Sequence, residues 1–114
     1  MMKVGVIGSR SFNDYKLLHD TLSNYSIGTI VSGGAKGADS LAKRYAEENN
    51  IPIVEFLPDY KNFKRRAPIL RNRSIVENST IIIAFWDGKS KGTEYTINLA
   101  KSLNIPSVVV NFKD

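Results

Sequence analysis

The sequence predicts a three-layer α/β fold, an open sheet of about five mainly parallel strands with helices on both faces. Three features predict it. Five short runs rich in β-branched and aromatic residues end in Gly, Ser, Pro or Asp; four segments between them carry apolar residues at helical spacing; and the strand-like runs are apolar at successive positions, as in Thr80-Ile81-Ile82-Ile83-Ala84-Phe85. A strand that faces water on one side alternates, whereas a continuous apolar run needs cover on both sides, and helical crossovers between parallel strands supply it. The arrangement is Rossmann-like.

Strands are expected at 3–8, 28–32, 51–56, 80–85 and 107–112. Between the first two, Tyr15, Leu18, Leu22 and Tyr25 recur at helical spacing; Ala38, Leu41, Ala42, Tyr45 and Ala46 do so after the second. A helix over 68–77 has Pro68 in its first turn, where a missing N–H costs nothing, and an apolar stripe through Ile69, Asn72, Ile75 and Val76. The last helix runs along Thr93, Thr96, Ile97, Ala100 and Leu103. Connections are short except 57–67, a long loop with Pro58, Tyr60 and Phe63, and long loops in small domains tend to carry function. With no internal repeat, low-complexity tract or linker, residues 1–114 are expected to form a single domain.

A chain of 114 residues buries enough surface for one hydrophobic core without disulfides. Cysteine is absent and His19 is the sole histidine, which removes a disulfide framework, a thiolate zinc site and a Cys-His nucleophile; no metal and no cofactor is expected. The apolar run from Val4 to Ile7 is too short for a signal peptide or a membrane span, so a cytoplasmic protein without a membrane partner is expected. Net charge is +5, and its location matters more than its size. Residues 61–73 hold six basic side chains (Lys61, Lys64, Arg65, Arg66, Arg71, Arg73) and no acid, while the rest of the chain holds ten basic and eleven acidic residues. Either this is a solvated basic loop, or an anionic partner, nucleic acid included, is met there.

In open α/β sheets ligands bind beyond the carboxyl ends of strands where the strand order reverses, which directs attention to the loops after the first, second and fourth strands. The first strand ends in Gly8-Ser9-Arg10. Glycine lets backbone approach a ligand, a serine hydroxyl donates, and the arginine fork matches phosphate oxygens in pairs, although the same residues suit a plain tight turn. Gly5-x-x-Gly8 is not the G-x-G-x-x-G dinucleotide fingerprint. The second strand ends in Ser32-Gly33-Gly34-Ala35-Lys36-Gly37-Ala38-Asp39, a glycine-rich loop opening into a helix. Backbone N–H groups and the positive helix terminus make such a turn an anion cradle, although it lacks the Gly-Lys-Ser/Thr ending of a P-loop. Asp39 either serves the helix dipole or accepts a ribose hydroxyl.

The fourth strand ends in Phe85-Trp86-Asp87-Gly88, and Ser90-Lys91-Gly92-Thr93 starts the next helix as a second anion cradle. Thr93 and Thr96 share the apolar face of that helix, whereas Glu94 points away and reads as a solvated acid. Trp86 is either a core aromatic or a platform on which a base stacks. Asn72 sits on the apolar stripe of its helix, so its amide must bond nearby backbone or a ligand, and Arg71 beside it reaches toward the strand ends. An arginine–phosphate hydrogen bond contributes roughly 1.5–3 kcal/mol and a helix terminus up to about 2. That gross sum corresponds only to about millimolar to tens of micromolar affinity, so a ligand must add a sugar or base against Trp86, Tyr60, Phe63 or Asn72.

Gly8-Ser9-Arg10, Gly33-Gly34-Ala35-Lys36-Gly37-Ala38-Asp39 with Leu41-Ala42, Arg71-Asn72-Arg73, and Ala84-Phe85-Trp86-Asp87 followed by Ser90-Lys91-Gly92-Thr93 together resemble the YspA-like branch of the SLOG superfamily, over about residues 4–110. The resemblance implies a Rossmann-like fold and a role in sensing or processing nucleotides and nucleotide-derived ligands. Two more distant relatives imply different chemistries. Lonely Guy phosphoribohydrolases carry a Gly-Thr-x-x-Glu motif with a catalytic glutamate, and nucleoside deoxyribosyltransferases look similar at that turn. Here Gly92-Thr93 puts Thr96 at the glutamate's place, and a threonine is neither carboxylate nucleophile nor general base. Glu94 and Asp87 remain as candidate catalytic acids. The glycine-rich turn also resembles DprA proteins, which implies single-stranded DNA binding.

The leading expectation is a protein that binds a nucleotide-derived, phosphate-containing small molecule through Gly8, Ser9, Arg10, Gly33, Gly34, Ala35, Lys36, Gly37, Asp39, Arg71, Asn72, Trp86, Asp87, Gly92 and Thr93. An N-glycosidase or phosphoribohydrolase is the first alternative. The second is nucleic-acid binding through Lys61, Lys64, Arg65 and Arg66. Related SLOG proteins often form homodimers, so a homodimer is also compatible.

Overall fold

The computed structural model describes residues 1–112. Along the chain come β1 (Met2–Gly8), α1 (Tyr15–Leu22), β2 (Ile27–Ser32), α2 (Ala38–Glu48), β3 (Ile53–Glu55), α3 (Tyr60–Phe63), a 3-10 turn (Lys64–Arg66), α4 (Ala67–Glu77), β4 (Ile81–Trp86), α5 (Lys91–Ser102) and β5 (Ser107–Asn111). The five strands form one sheet in the order β3-β2-β1-β4-β5, every neighbouring pair parallel. The predicted fold class is therefore the observed one. Among the described residues no helix is long and apolar enough to cross a membrane.

Side chains of a strand alternate between faces, and here both faces are covered. From β1 and β4, Val4, Val6, Ile81, Ile83 and Phe85 enter one core with Leu18 and Leu22 of α1 and Ala42, Tyr45 and Ala46 of α2. Ile7, Ile82 and Ala84 enter the opposite core with Ile75 and Val76 of α4 and Ile97 and Ala100 of α5. β1 and β4 are the central pair, in register from Val4 against Ile81 to Gly8 against Phe85. Chain connections leave β1 toward one edge of the sheet and β4 toward the other, so the crevice between their carboxyl ends is the topological switch point.

Several local expectations need correction. β3 covers only Ile53–Glu55 rather than 51–56, because Pro52 has no N–H to add to a ladder. Its carbonyl still accepts from Ile30 N–H at 2.9 Å. The expected loop 57–67 contains a helical turn capped by Asp59, whose carboxylate accepts from the Asn62 backbone N–H at 3.1 Å and its side-chain amide at 2.8 Å. Ile69 and Leu103, read as members of apolar stripes, are exposed, the first at the start of α4 and the second just past α5.

Phe12, in the β1–α1 turn, had no periodic neighbours to mark it as core, yet it is 1% exposed. Its ring stacks on Phe85 with centroids 4.7 Å apart and meets Phe112 edge-on at 4.8 Å. This contact anchors the segment that carries Ser9 and Arg10. Phe12→Ala is expected to cost about 3–5 kcal/mol in urea denaturation; a loss under about 1 kcal/mol would show that the turn is not held by this ring.

Candidate functional site

A cleft of about 570 Å³ opens at the switch point. Residues from β1 and its turn (Gly8, Ser9, Arg10), the β2–α2 loop and α2 (Ala35, Asp39), α4 (Arg71, Asn72), and the start of α5 (Gly92, Thr93) line it, together with Asp87 and Ser90 of the β4–α5 loop. A second cleft of about 340 Å³ adjoins it, lined by Gly33, Gly34, Ala35, Lys36, Pro58 and Tyr60 and sharing Arg10 and Arg71. Of the expected binding residues, Gly37 and Trp86 line neither cleft, and the candidate acid Glu94 is exposed away from both.

Glycines at this rim are spacers for neighbouring groups. A side chain at Gly8 would strike the Ala38 methyl and the Phe85 carbonyl at 2.6 Å, so β1 lies directly against β4 and the start of α2. Gly37 has φ +80°, and a side chain there would strike the Ser9 and Arg10 carbonyls, which explains why glycine precedes α2. At Gly33 the missing side chain leaves room for the Arg71 guanidinium.

Arg71 is fixed from two sides. Its Nη1 donates to the Gly33 carbonyl at 2.7 Å and its Nε to Asn72 Oδ1 at 2.7 Å. Asn72 thus finds a partner on its neighbour, and the inward-facing amide positions the arginine. The ion pairs among the described residues lie on helix surfaces (Lys16–Asp20, His19–Asp20, Arg44–Glu48, Arg73–Glu77) and involve neither Arg10 nor Arg71. Two guanidinium groups flank the cleft without direct salt bridges, Arg71 within electrostatic reach of the Asp39 carboxylate.

The two expected anion cradles differ. At the start of α2, the Ala35 N–H donates to Asp39 Oδ2 at 3.1 Å, so part of that loop is already satisfied by the protein's own carboxylate. At the start of α5, Ser90 provides no side-chain cap, and Gly92 and Thr93 line the cleft beside it. Thr96 is fully buried and donates to the Gly92 carbonyl at 2.9 Å, which places it on the cleft floor.

Ser9 and Asp87 form a brace. The buried Ser9 hydroxyl accepts from the Asp87 N–H at 3.2 Å and from the Ser90 hydroxyl at 2.8 Å. The Asp87 carboxylate accepts from the Lys89 and Ser90 N–H groups, each at 2.8 Å, and these bonds hold its pKa down at about 2. The Asp87-Gly88 pair is the turn signature behind this arrangement, since an aspartate readily accepts from backbone two residues on. Ser90 escaped the sequence reading as a brace residue because its partner Ser9 is eighty-one positions away. Trp86 is half-buried and its indole N–H donates to the Ser90 carbonyl at 3.1 Å, so the ring belongs to the α4–α5 core rather than to a stacking surface in either cleft.

A model of the YspA, cpYpsA-related SLOG family matches residues 2–63. The Gene 61 protein of Mycobacterium phage D29 is 32% identical over 126 residues, aligned across 100% of this chain and 98% of that protein. The chain belongs to the YspA, cpYpsA-related SLOG family. Among solved structures, DNA processing protein A (DprA) from Streptococcus pneumoniae is similar with a TM-score of 0.82 at 19% identity, over 97% of this chain and 50% of that one. The second likeness is one of fold, and the chain spans half the length of that DprA chain. Membership of this SLOG family supports a nucleotide-related binding or processing role in general.

Asp39 is the one buried carboxyl in the SLOG cleft, and burial pushes its pKa up against the opposing pull of the Ala35 N–H and Arg71. A raised folded value means that the folded state holds the proton more tightly than the unfolded chain, so stability falls as pH rises from the ordinary aspartate range through the folded pKa. Asp39→Asn is therefore expected to raise the urea midpoint at pH 7, and the gain should vanish at pH values below the ordinary aspartate range. An unchanged or lowered midpoint at pH 7 would mean that attraction to Arg71 outweighs burial.

Proposed function

We propose that this SLOG chain, acting as one domain over residues 1–114, binds a nucleotide-derived ligand whose phosphate lies between Arg10, Arg71 and the start of α5. The observation that carries this reading is the convergence of two guanidinium groups without direct salt bridges, and of a helix start without a side-chain cap, on one cleft at the switch point. Helix N–H groups and arginine forks both favour phosphate oxygens. Asp39, Asn72 and Thr93 supply acceptors and donors for a ribose. Binding without turnover is favoured over glycosidic cleavage by the state of the carboxyls. Glu94 is off the cleft, Thr96 holds the floor, and Asp87, with its pKa near 2 and its oxygens engaged by the brace, is a weak base.

Thermal shift and calorimetry with a panel of nucleotides test this. A ligand at a hundredfold its Kd stabilises by about 2.7 kcal/mol. Arg71→Ala is expected to weaken binding by roughly ten- to a hundredfold, about 1.5–3 kcal/mol. Gly33→Ala removes the space of the Arg71 side chain and with it the donor to the buried Gly33 carbonyl, so it should lower affinity and cost about 1–3 kcal/mol of stability. A folded protein that responds to no nucleotide, or an Arg71→Ala variant that binds as well as the parent, would refute the reading.

A second reading, contact with single-stranded nucleic acid, draws support from the exposed Lys61, Lys64, Arg65 and Arg66 beside half-exposed Tyr60 and Phe63. Aromatic platforms next to basic side chains suit bases and phosphates in turn. If these four contact phosphates, oligonucleotide affinity should fall about fiftyfold between 50 and 200 mM salt. A small nucleotide held in the cleft should respond far less, so a flat salt profile for an oligonucleotide would exclude this mode.

A further inference from the structure

The two edges of the sheet differ, and from that difference we infer that two copies of this chain pair edge to edge through β5, antiparallel about Val109, into one continuous sheet. The inference is independent of the ligand reading. β3 is a protected edge: it is three residues long, follows Pro52 and presents the exposed Glu55. β5 is five residues long, Ser107–Asn111, keeps an unbroken register on β4 and carries no charge. Its Val108, Val109 and Val110 are only partly buried, although they pack against the two cores.

The hydrogen-bond register determines which backbone groups are open. Along a strand the N–H and C=O of one residue point to the same side, and successive residues alternate. The Pro106 carbonyl accepts from the Ile82 N–H at 2.9 Å and the Phe112 N–H donates to the Trp86 carbonyl at 3.2 Å, so the even-numbered residues of β5 face β4. Ser107, Val109 and Asn111 therefore turn their N–H and C=O outward, and among the described residues these groups have no protein partner. The pattern is self-complementary. With a two-fold axis through Val109, that residue exchanges both bonds with the second copy's Val109, and Ser107 does so with the second copy's Asn111. Val108 then lies opposite the second copy's Val110 on one face, and the two Val109 side chains meet on the other. A chain of net charge +5 repels its own copy, and an uncharged strand is where two copies meet without opposing like charges. Five residues span only about 17 Å, so the contact is smaller than a standard interface of about 1,600 Å² and the dimer is expected to dissociate in the micromolar range or above. Because the paired strands run in opposite directions, the two clefts open on opposite rims, clear of the contact.

Analytical ultracentrifugation from about 10 µM to about 1 mM protein tests the inference, and a dimer whose share rises with concentration is the expected result. Val109→Pro removes the central donor without breaking a bond to β4, since that N–H points away from it, and should leave a monomer; Glu55→Pro, at the other edge, should dimerise like the parent. Val109→Lys keeps the N–H but sets two charges against each other, and should also be monomeric, which covers the case of a proline variant that circular dichroism shows to be unfolded. Because the chain has no cysteine, Val109→Cys reports the register: opposed Cα atoms of such a pair lie about 5.5 Å apart, within disulfide reach, so a mild oxidant should link two copies. Asn111→Cys, which faces Ser107 instead of its own equivalent, should not link. Nucleotide affinity of the monomeric variants should equal the parent's, so loss of the dimer and loss of the cleft are read separately. A dimer that survives both Val109→Pro and Val109→Lys, or one linked through Asn111→Cys and not through Val109→Cys, overturns this pairing. A parent that stays monomeric at every concentration overturns it too, and leaves the β5 edge to a strand from another protein.

Discussion

A guanidinium laid against bare backbone ties the carboxyl rim of this sheet together. Arg71 belongs to α4, on the opposite face from α2, yet its Nη1 reaches the Gly33 carbonyl at the end of β2. Gly33 is buried, and a buried carbonyl without a donor costs about 1–3 kcal/mol. The arginine satisfies it, and a side chain at position 33 would remove the room it uses. The tie fixes the angle between the α4 side and the glycine-rich loop, and both clefts are the spaces on either side of that tie. Asn72 completes the support by holding Nε, so the charge is fixed in position as well as present.

The fold was legible because each of its signals was local. Continuous apolar runs, that of β4 above all, marked strands covered on both faces, and helical spacing marked α1, α2 and α5. What was missed depended on distant partners. Phe12 looked like a loop residue, because the rings it packs against, Phe85 and Phe112, lie far along the chain. Asp59 was legible in principle as the cap of α3, but the density of Lys and Arg after it suggested an open loop. In the site, Arg10, Arg71, Asn72, Asp39 and Thr93 come together as their chemistry suggested. Ser9 and Trp86 illustrate the opposite outcome: their hydrogen-bonding groups are engaged by Asp87 and Ser90, on contacts that spacing alone does not encode.

The acids of the cleft divide by environment. Asp87 sits in a turn where two N–H groups stabilise its charge, so its carboxylate is ionised at any ordinary pH and its role is to shape the β4–α5 loop. Asp39 is buried at the start of α2, where the same charge is held at a cost. A carboxylate kept in an unfavourable setting next to an arginine gains most from a donor that it does not yet have. A ribose hydroxyl is such a donor, and one that adds no charge of its own to the cleft.

Small residues keep the crevice from closing. Gly8 brings β1 onto the Ala38 methyl, and Gly37 brings α2 onto the Ser9 carbonyl, which uses up the space between strand ends and helix start. With these contacts as tight as packing allows, the remaining gap is bounded by Arg10, Arg71, the start of α5 and the two acids Asp39 and Asp87, and the arginines present N–H donors to it. The arginine donors that the protein leaves over are stable in water because water accepts from them. Replacing that water requires an acceptor with several oxygens in a small volume, which a phosphate provides; but an exchange of one set of hydrogen bonds for another leaves a small net gain. The exposed ring that borders these donors is Tyr60.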